Sequence, residues 1–159
     1  MATHISDIFQ QYCYDIVQKY SCAIVEFVVR GTAQRPVVEI YIDSRDGVTL
    51  EMCADISRSL SEYVDATNSI EGNYRLDVSS PGVDRPLVYI WQYIKHIQRH
   101  ICITQKDDTI IRGVLLSVDE ENMTIHIKVL PDKKAKKNES EMMSLQFDLI
   151  REAVIEITL

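Results

Sequence analysis

Tyr74-Arg75-Leu76-Asp77-Val78-Ser79-Ser80-Pro81-Gly82-Val83-Asp84-Arg85-Pro86-Leu87 decides how the chain divides. Its first half alternates: Tyr74, Leu76 and Val78 fall on one face, Arg75, Asp77 and Ser79 on the other. That is the period of a half-buried strand. Ser80-Pro81-Gly82 stops the strand, because Pro81 has no N–H for a ladder and Gly82 tolerates a positive φ. Asp84-Arg85-Pro86 follows, and Pro86 biases Arg85 away from the helical region. An apolar run of helical period begins just after it. A buried strand thus passes through a stiff, polar connector into a new element. This is the pattern expected of a junction that holds two domains, 1–83 and 84–159, at a fixed angle.

Upstream, Ile5, Ile8, Phe9, Tyr12, Cys13, Ile16, Val17 and Tyr20 recur at helical spacing and predict an amphipathic helix. Residues 22–29 are rich in β-branched side chains and predict a strand. The segment 31–36 is a hairpin-length loop, and 37–43 is the next strand, with Val38, Ile40 and Ile42 on one face. Thr49 is placed to cap a second helix, whose buried stripe is Leu50, Cys53, Ile56, Leu60 and Val64. The order helix, strand, strand, helix, strand gives a small layer with both helices on one face of the sheet.

Downstream, residues 88–100 read as a connector helix with Ile90, Ile94 and Ile97 on one face and Trp91, the only tryptophan, beside them. From Ile101 the period changes to strands expected at 101–105, 110–118, 123–129, 142–147 and 154–159, with a turn at 148–152 before the last. Gly113 permits a bend or bulge. Five bent strands with one helical turn before the last predict a small SH3-like or Sm-like barrel. The fold class expected is therefore α+β: an α-β-β-α-β domain, then a connector helix and an all-β barrel.

Hydrophobic content of 46% and charged content of 26% are those of a globular chain. No apolar run approaches the roughly 18 residues of a membrane span. Residues 1–20 lack the basic start of a signal peptide and carry Asp7 and Asp15, so a cytoplasmic protein is expected. The net charge of −7 is uneven: residues 1–83 hold six Lys/Arg against twelve Asp/Glu, and residues 84–159 hold eleven against twelve. An acidic first half suits a basic partner, or serves only solubility.

Cys13, Cys22, Cys53 and Cys102 show no paired zinc spacing and read as buried free thiols. His96 and His100, four apart on the expected helix, share a face as metal pairs do. They lack a third ligand nearby in sequence, so a surface or interface role is expected. Lys133, Lys134, Lys136 and Lys137 form the one dense basic cluster. They offer a contact to RNA phosphates or a solvated loop tip, and no aromatic interleaves them for base stacking. Ser79, Ser80 and Asp84 invite an enzyme reading, but no GxSxG, HExxH, P-loop or GxGxxG accompanies them. The expected role of Ser79, Ser80, Pro81, Gly82, Asp84, Arg85 and Pro86 is architectural, with partner contact second. No catalytic residue, cofactor or metal is assigned.

Val78 to Leu87 closely resembles the signature of the bacterial ribosome maturation factor RimP family, with Val83 where the family form has Leu. The resemblance runs through Glu39–Leu87 at the level of motif and returns at Phe147–Ala153. It implies the barrel fold for the second domain. It also implies a non-catalytic factor that assembles the small (30S) ribosomal subunit. The implied partner is the immature subunit, its RNA and small-subunit protein twelve, with the chain acting as a monomer. The reading from a different class is an enzyme that modifies or processes small-subunit ribosomal RNA.

Expressed separately, residues 1–83 and 84–159 are expected to unfold cooperatively, and limited proteolysis of the whole chain to cut first within 82–87. Halves that both lack a cooperative transition would refute the two-domain reading.

Overall fold

Ser6 begins the first helix. Its hydroxyl accepts from the N–H of Phe9 at 3.3 Å, and α1 (Asp7–Lys19) places Asp7 in the first turn and Lys19 in the last, each against the matching end of the helix dipole. The computed structural model describes residues 5–131 and 141–157. Phe9, Cys13, Ile16 and Val17 are buried, whereas Ile8 points to solvent, so the apolar stripe is narrower than its sequence pattern.

β1 (Ala23–Gly31) and β2 (Pro36–Asp43) form the expected antiparallel hairpin, with Phe27 opposite Ile40 and Val29 opposite Val38. Gly31 closes it at φ +86°, where a Cβ would lie 2.4 Å from the carbonyl oxygen of Arg35. No L side chain fits there. Val38, Ile40 and Ile42 are wholly buried.

Thr49 caps α2 (Leu50–Thr67) by accepting from Met52 N–H at 3.1 Å, and Asn68 ends the helix in the left-handed region at φ 52°. Cys53, Ile56, Leu60 and Val64 are buried as expected, but Leu50 is 90% exposed. Leu50 occupies the first helical position, and burial begins one turn later at Cys53. The two helices meet through rings: Tyr12 stacks on Tyr63 at 3.8 Å between centroids. β3 (Arg75–Ser79) then pairs in parallel with β2, Val37 opposite Arg75 and Tyr41 opposite Ser79, giving the order β1-β2-β3. The helices and the Val38–Ile40–Ile42 face share one core.

The chain separates into two compact units, Met1–Pro81 and Gly82–Leu159. In the second, the helix expected over 88–100 is much shorter: α3 spans Ile90–Tyr93, and a 3-10 turn follows at Ile94–His96. Ile97 is already extended at ψ 136°, and Gln98 turns left-handed at φ 75°. The N–H of Gln98 donates to the carbonyl of Leu115 at 2.7 Å, and Leu115 N–H donates to Arg99 at 3.0 Å. These bonds draw the segment into the sheet before a helix can continue. The buried side chains are Ile90, Gln92 and Tyr93, while Ile94 and Ile97 are exposed.

β4 (His100–Gln105), β5 (Ile110–Asp119), β6 (Thr124–Val129), β7 (Glu141–Gln146) and β8 (Ile150–Ile155) form an antiparallel sheet in the order β7-β6-β5-β4-β8. The last strand starts earlier than 154, and the turn before it is a 3-10 turn at Phe147–Leu149. Pairing with β4 sets this register: Gln105 faces Ile150 and Ile101 faces Ile155, so Ala153 and Ile155 point into the core. Arg151 and Glu152, expected in the turn, are exposed strand positions, and Arg151 pairs with Asp108.

The bulge in β5 falls between Leu115 and Ser117, not at Gly113. Gly113 serves a close approach instead: a Cβ there would lie 2.4 Å from the carbonyl oxygen of Lys128 and 2.6 Å from Ile127 Cγ2. Tyr93 anchors the connector in the core, edge-on to Phe147 at 5.9 Å, and its hydroxyl has no hydrogen-bond partner among the described residues.

Gly113→Ala is expected to cost about 1–3 kcal/mol by overpacking against β6. In the same urea series Tyr93→Phe is expected to lose nothing, since it deletes a buried hydroxyl without stranding a partner.

Candidate functional site

The signature stretch meets the two units one after the other. In the first, β3 ends at Ser79, and among the described residues the exposed side chains of Ser79 and Ser80 make no hydrogen bond. Pro81 is half-buried and closes the unit.

In the second unit, Gly82, Val83, Asp84 and Arg85 form a reverse turn, with Arg85 N–H donating to Gly82 at 3.1 Å. Asp84 folds its carboxylate back over Gly82, where a Cβ would stand 2.5 Å from Asp84 Oδ1. A side chain at Gly82 would make the exposed Asp84 carboxylate move aside. Asp84 is exposed, and Arg85 and Pro86 are half-buried. The N–H of Leu87 donates to Ala153 in β8 at 2.8 Å, and the Leu87 side chain packs on the second core.

The next two amides are fixed by one side chain. Gln92, only 2% exposed, accepts from Val88 N–H at 2.7 Å and from Tyr89 N–H at 2.9 Å through its Oε1. Amides at the start of a helix have no intrahelical backbone acceptor, so Gln92 reaches back from within α3 to supply one. A lone glutamine inside the apolar run 90–97 was the only sequence sign of this role.

His96 lies in the 3-10 turn and His100 opens β4, so they do not share a helical face as expected. The cause is the break at Gln98. His96 Nδ1 instead sits 3.4 Å from Arg99 Nη1. Among the described residues no three His, Cys, Asp or Glu side chains are grouped to hold a metal ion. Lys133, Lys134, Lys136 and Lys137 lie outside the described residues. All four cysteines are free; Cys13, Cys22 and Cys53 are buried, and Cys102 is half-buried. Burial pushes the Cys13 thiol up to about 12 and that of Cys53 upward too. Deep thiols of this kind are poor nucleophiles.

One pairing went unread in the sequence. His126 Nδ1 lies 2.8 Å from Ser144 Oγ across β6 and β7, beside a shallow depression of about 440 Å³ lined by Leu116, Met142 and Met143. Asp119, the nearby carboxylate, accepts from the side chain and backbone of Asn122, and those bonds hold its carboxyl below the usual range ahead of the weaker pull of His126. It is committed to its turn rather than to orienting the imidazole as a third catalytic group would.

Gln92→Met keeps the volume but strands two amides. It is expected to cost about 2 kcal/mol or more and to speed hydrogen exchange at Val88 and Tyr89 selectively. Unchanged exchange there would remove Gln92 from this role.

Residues 12–84 match the family model of the RimP N-terminal domain. The match opens inside α1, takes in every strand and helix that follows in the first unit, and ends on Asp84 of the signature turn. The first unit therefore matches the RimP N-terminal domain along almost its whole length.

Proposed function

We propose that the protein is a non-catalytic maturation factor for the small (30S) ribosomal subunit. The observation that carries the reading is the RimP N-terminal domain over residues 12–84, continuous with a signature stretch whose turn is built around Gly82 and Asp84. The mechanism is transient binding in the cytoplasm. The protein occupies an immature subunit, favours one arrangement of RNA and protein, and leaves when the mature form removes its site. Such a factor contributes only differential affinity, and needs no reacting group.

The uneven charge supports two kinds of contact. The acidic first half suits basic ribosomal proteins, and the family resemblance nominates small-subunit protein twelve as the partner of the second domain. Exposed Ser79, Ser80 and Asp84 supply polar side chains for partner contact beside Arg85 and Pro86. Lys133, Lys134, Lys136 and Lys137 are proposed to touch RNA phosphates. The bulges of the β-sheet and the 3-10 turn before β8 support reading the second unit as an SH3-like or Sm-like barrel.

Co-sedimentation tests the function. The protein is expected to travel with free small subunits, most strongly immature ones, and not with complete ribosomes. Equal binding to both, or to neither, would reject the assignment. Turnover on small-subunit RNA with added cofactors would instead favour an enzyme.

A further inference from the structure

The chain carries a net charge of −7, yet from Arg85 to Lys106 it contains no Asp or Glu. The middle of this stretch sets an aromatic pair beside the cation Lys95, with Arg99 four residues further on. Tyr89 and Trp91 stack with centroids 5.4 Å apart and planes 7° from parallel. Lys95 Nζ lies 5.8 Å from the Trp91 ring centre, and Arg99 sits against His96. Lys95 and Arg99 are exposed, and Trp91 and Tyr89 are half-buried. Val88, Ile94 and Ile97 add exposed apolar surface, at 44%, 43% and 37%.

We propose that the Tyr89–Trp91 pair with Lys95 and Arg99 is a binding ledge for single-stranded RNA. A base extends the parallel stack, and the two cations take phosphates on either side of it. This deepens the ribosomal function proposed above and rests on it for the source of the RNA.

Three features favour RNA over an acidic peptide. The rings are nearly parallel, and every base has a flat face to add to such a stack. The pair is preorganised: Gln92 fixes the Tyr89 amide and Tyr93 anchors the following turn in the core, so little ordering remains to be done on binding. Lys95 stands over the Trp91 ring and Arg99 follows four residues later, so positive charge lies next to the stack, where a nucleic-acid backbone would carry its phosphates. A peptide carboxylate would meet the charge of Lys95 and Arg99 but bring no flat partner to the rings.

Trp91 is the sole tryptophan, so its fluorescence reports this ledge alone. The full chain is titrated with a short oligouridylate and, separately, with polyglutamate. Oligouridylate is expected to quench the emission saturably, with a salt slope of about −1.4 for two phosphates on a single strand. Lys95→Gln with Arg99→Gln should flatten that slope. Trp91→Ala should weaken binding about tenfold, read by anisotropy of labelled oligouridylate. Trp91→Phe should retain most of it. Circular dichroism confirms that each variant is folded.

No quenching by oligouridylate, an unchanged slope in the Lys95/Arg99 variant, or quenching by polyglutamate alone would each overturn the proposal, the last in favour of an acidic peptide partner. Subunit co-sedimentation that persists without oligouridylate binding refutes the ledge and leaves the maturation role standing. Oligouridylate binding without co-sedimentation does the reverse.

Discussion

The parallel ladder between β2 and β3 is the constraint on which the first unit depends. Parallel neighbours cannot be joined by a tight turn, so the chain must cross over between them, and α2 is that crossover. α2 then has to bury a stripe, and the face of β2 it meets is Val38, Ile40 and Ile42. Each such side chain removed from water contributes about 1.5–3 kcal/mol. α1 shares that face and seals against α2 through Tyr12 and Tyr63. Because β3 lies beside β2 and runs the same way, its C-terminal end delivers Ser79 and Ser80 to the surface where the signature begins.

The second unit is governed by a different need, that of satisfying backbone polar groups over a short, apolar, non-helical approach to a sheet. Leu87 bonds to β8, Val88 and Tyr89 bond to Gln92, and beside the β5 bulge Gln98 donates to Leu115 while Leu115 donates to Arg99. Buried amides without acceptors cost more than the bonds return when made, so these few contacts fix the path of the segment. They also hold Tyr89, Trp91 and Lys95 in place. Rigid support beneath a surface aromatic lowers the entropy lost when something stacks on it.

Charge and chemistry are divided along the chain. Acidic residues dominate the first 83 positions, while the stretch between Asp84 and Asp107 has none. The buried cysteines are packing groups, since burial holds Cys13 protonated at neutral pH.

Much of the first unit was legible in the sequence because its signals are local. The alternation of β2, the Thr49 cap, the Cys53–Ile56–Leu60–Val64 spacing and the strand–Pro–Gly break each depend on neighbours a few residues away. Cys13, Cys22 and Cys53 as buried thiols followed from the same periodicity. Tertiary structure decided the rest. Residues 88–100 carry a helical apolar period, but bonds from Gln98 and Arg99 to distant Leu115 end the helix early and separate His96 from His100. The start of β8 depends on register with β4, and a register is a property of two strands. Leu50 fits the stripe by spacing yet lies outside it, because burial depends on what stands opposite. Gln92 reads as a polar interruption until two amides are found pointing at it. Trp91 could be singled out by its type alone, but only the folded chain stacks it on Tyr89 beneath Lys95. Local spacing determines which face a residue occupies, whereas long-range hydrogen bonds determine whether the element that carries the face exists.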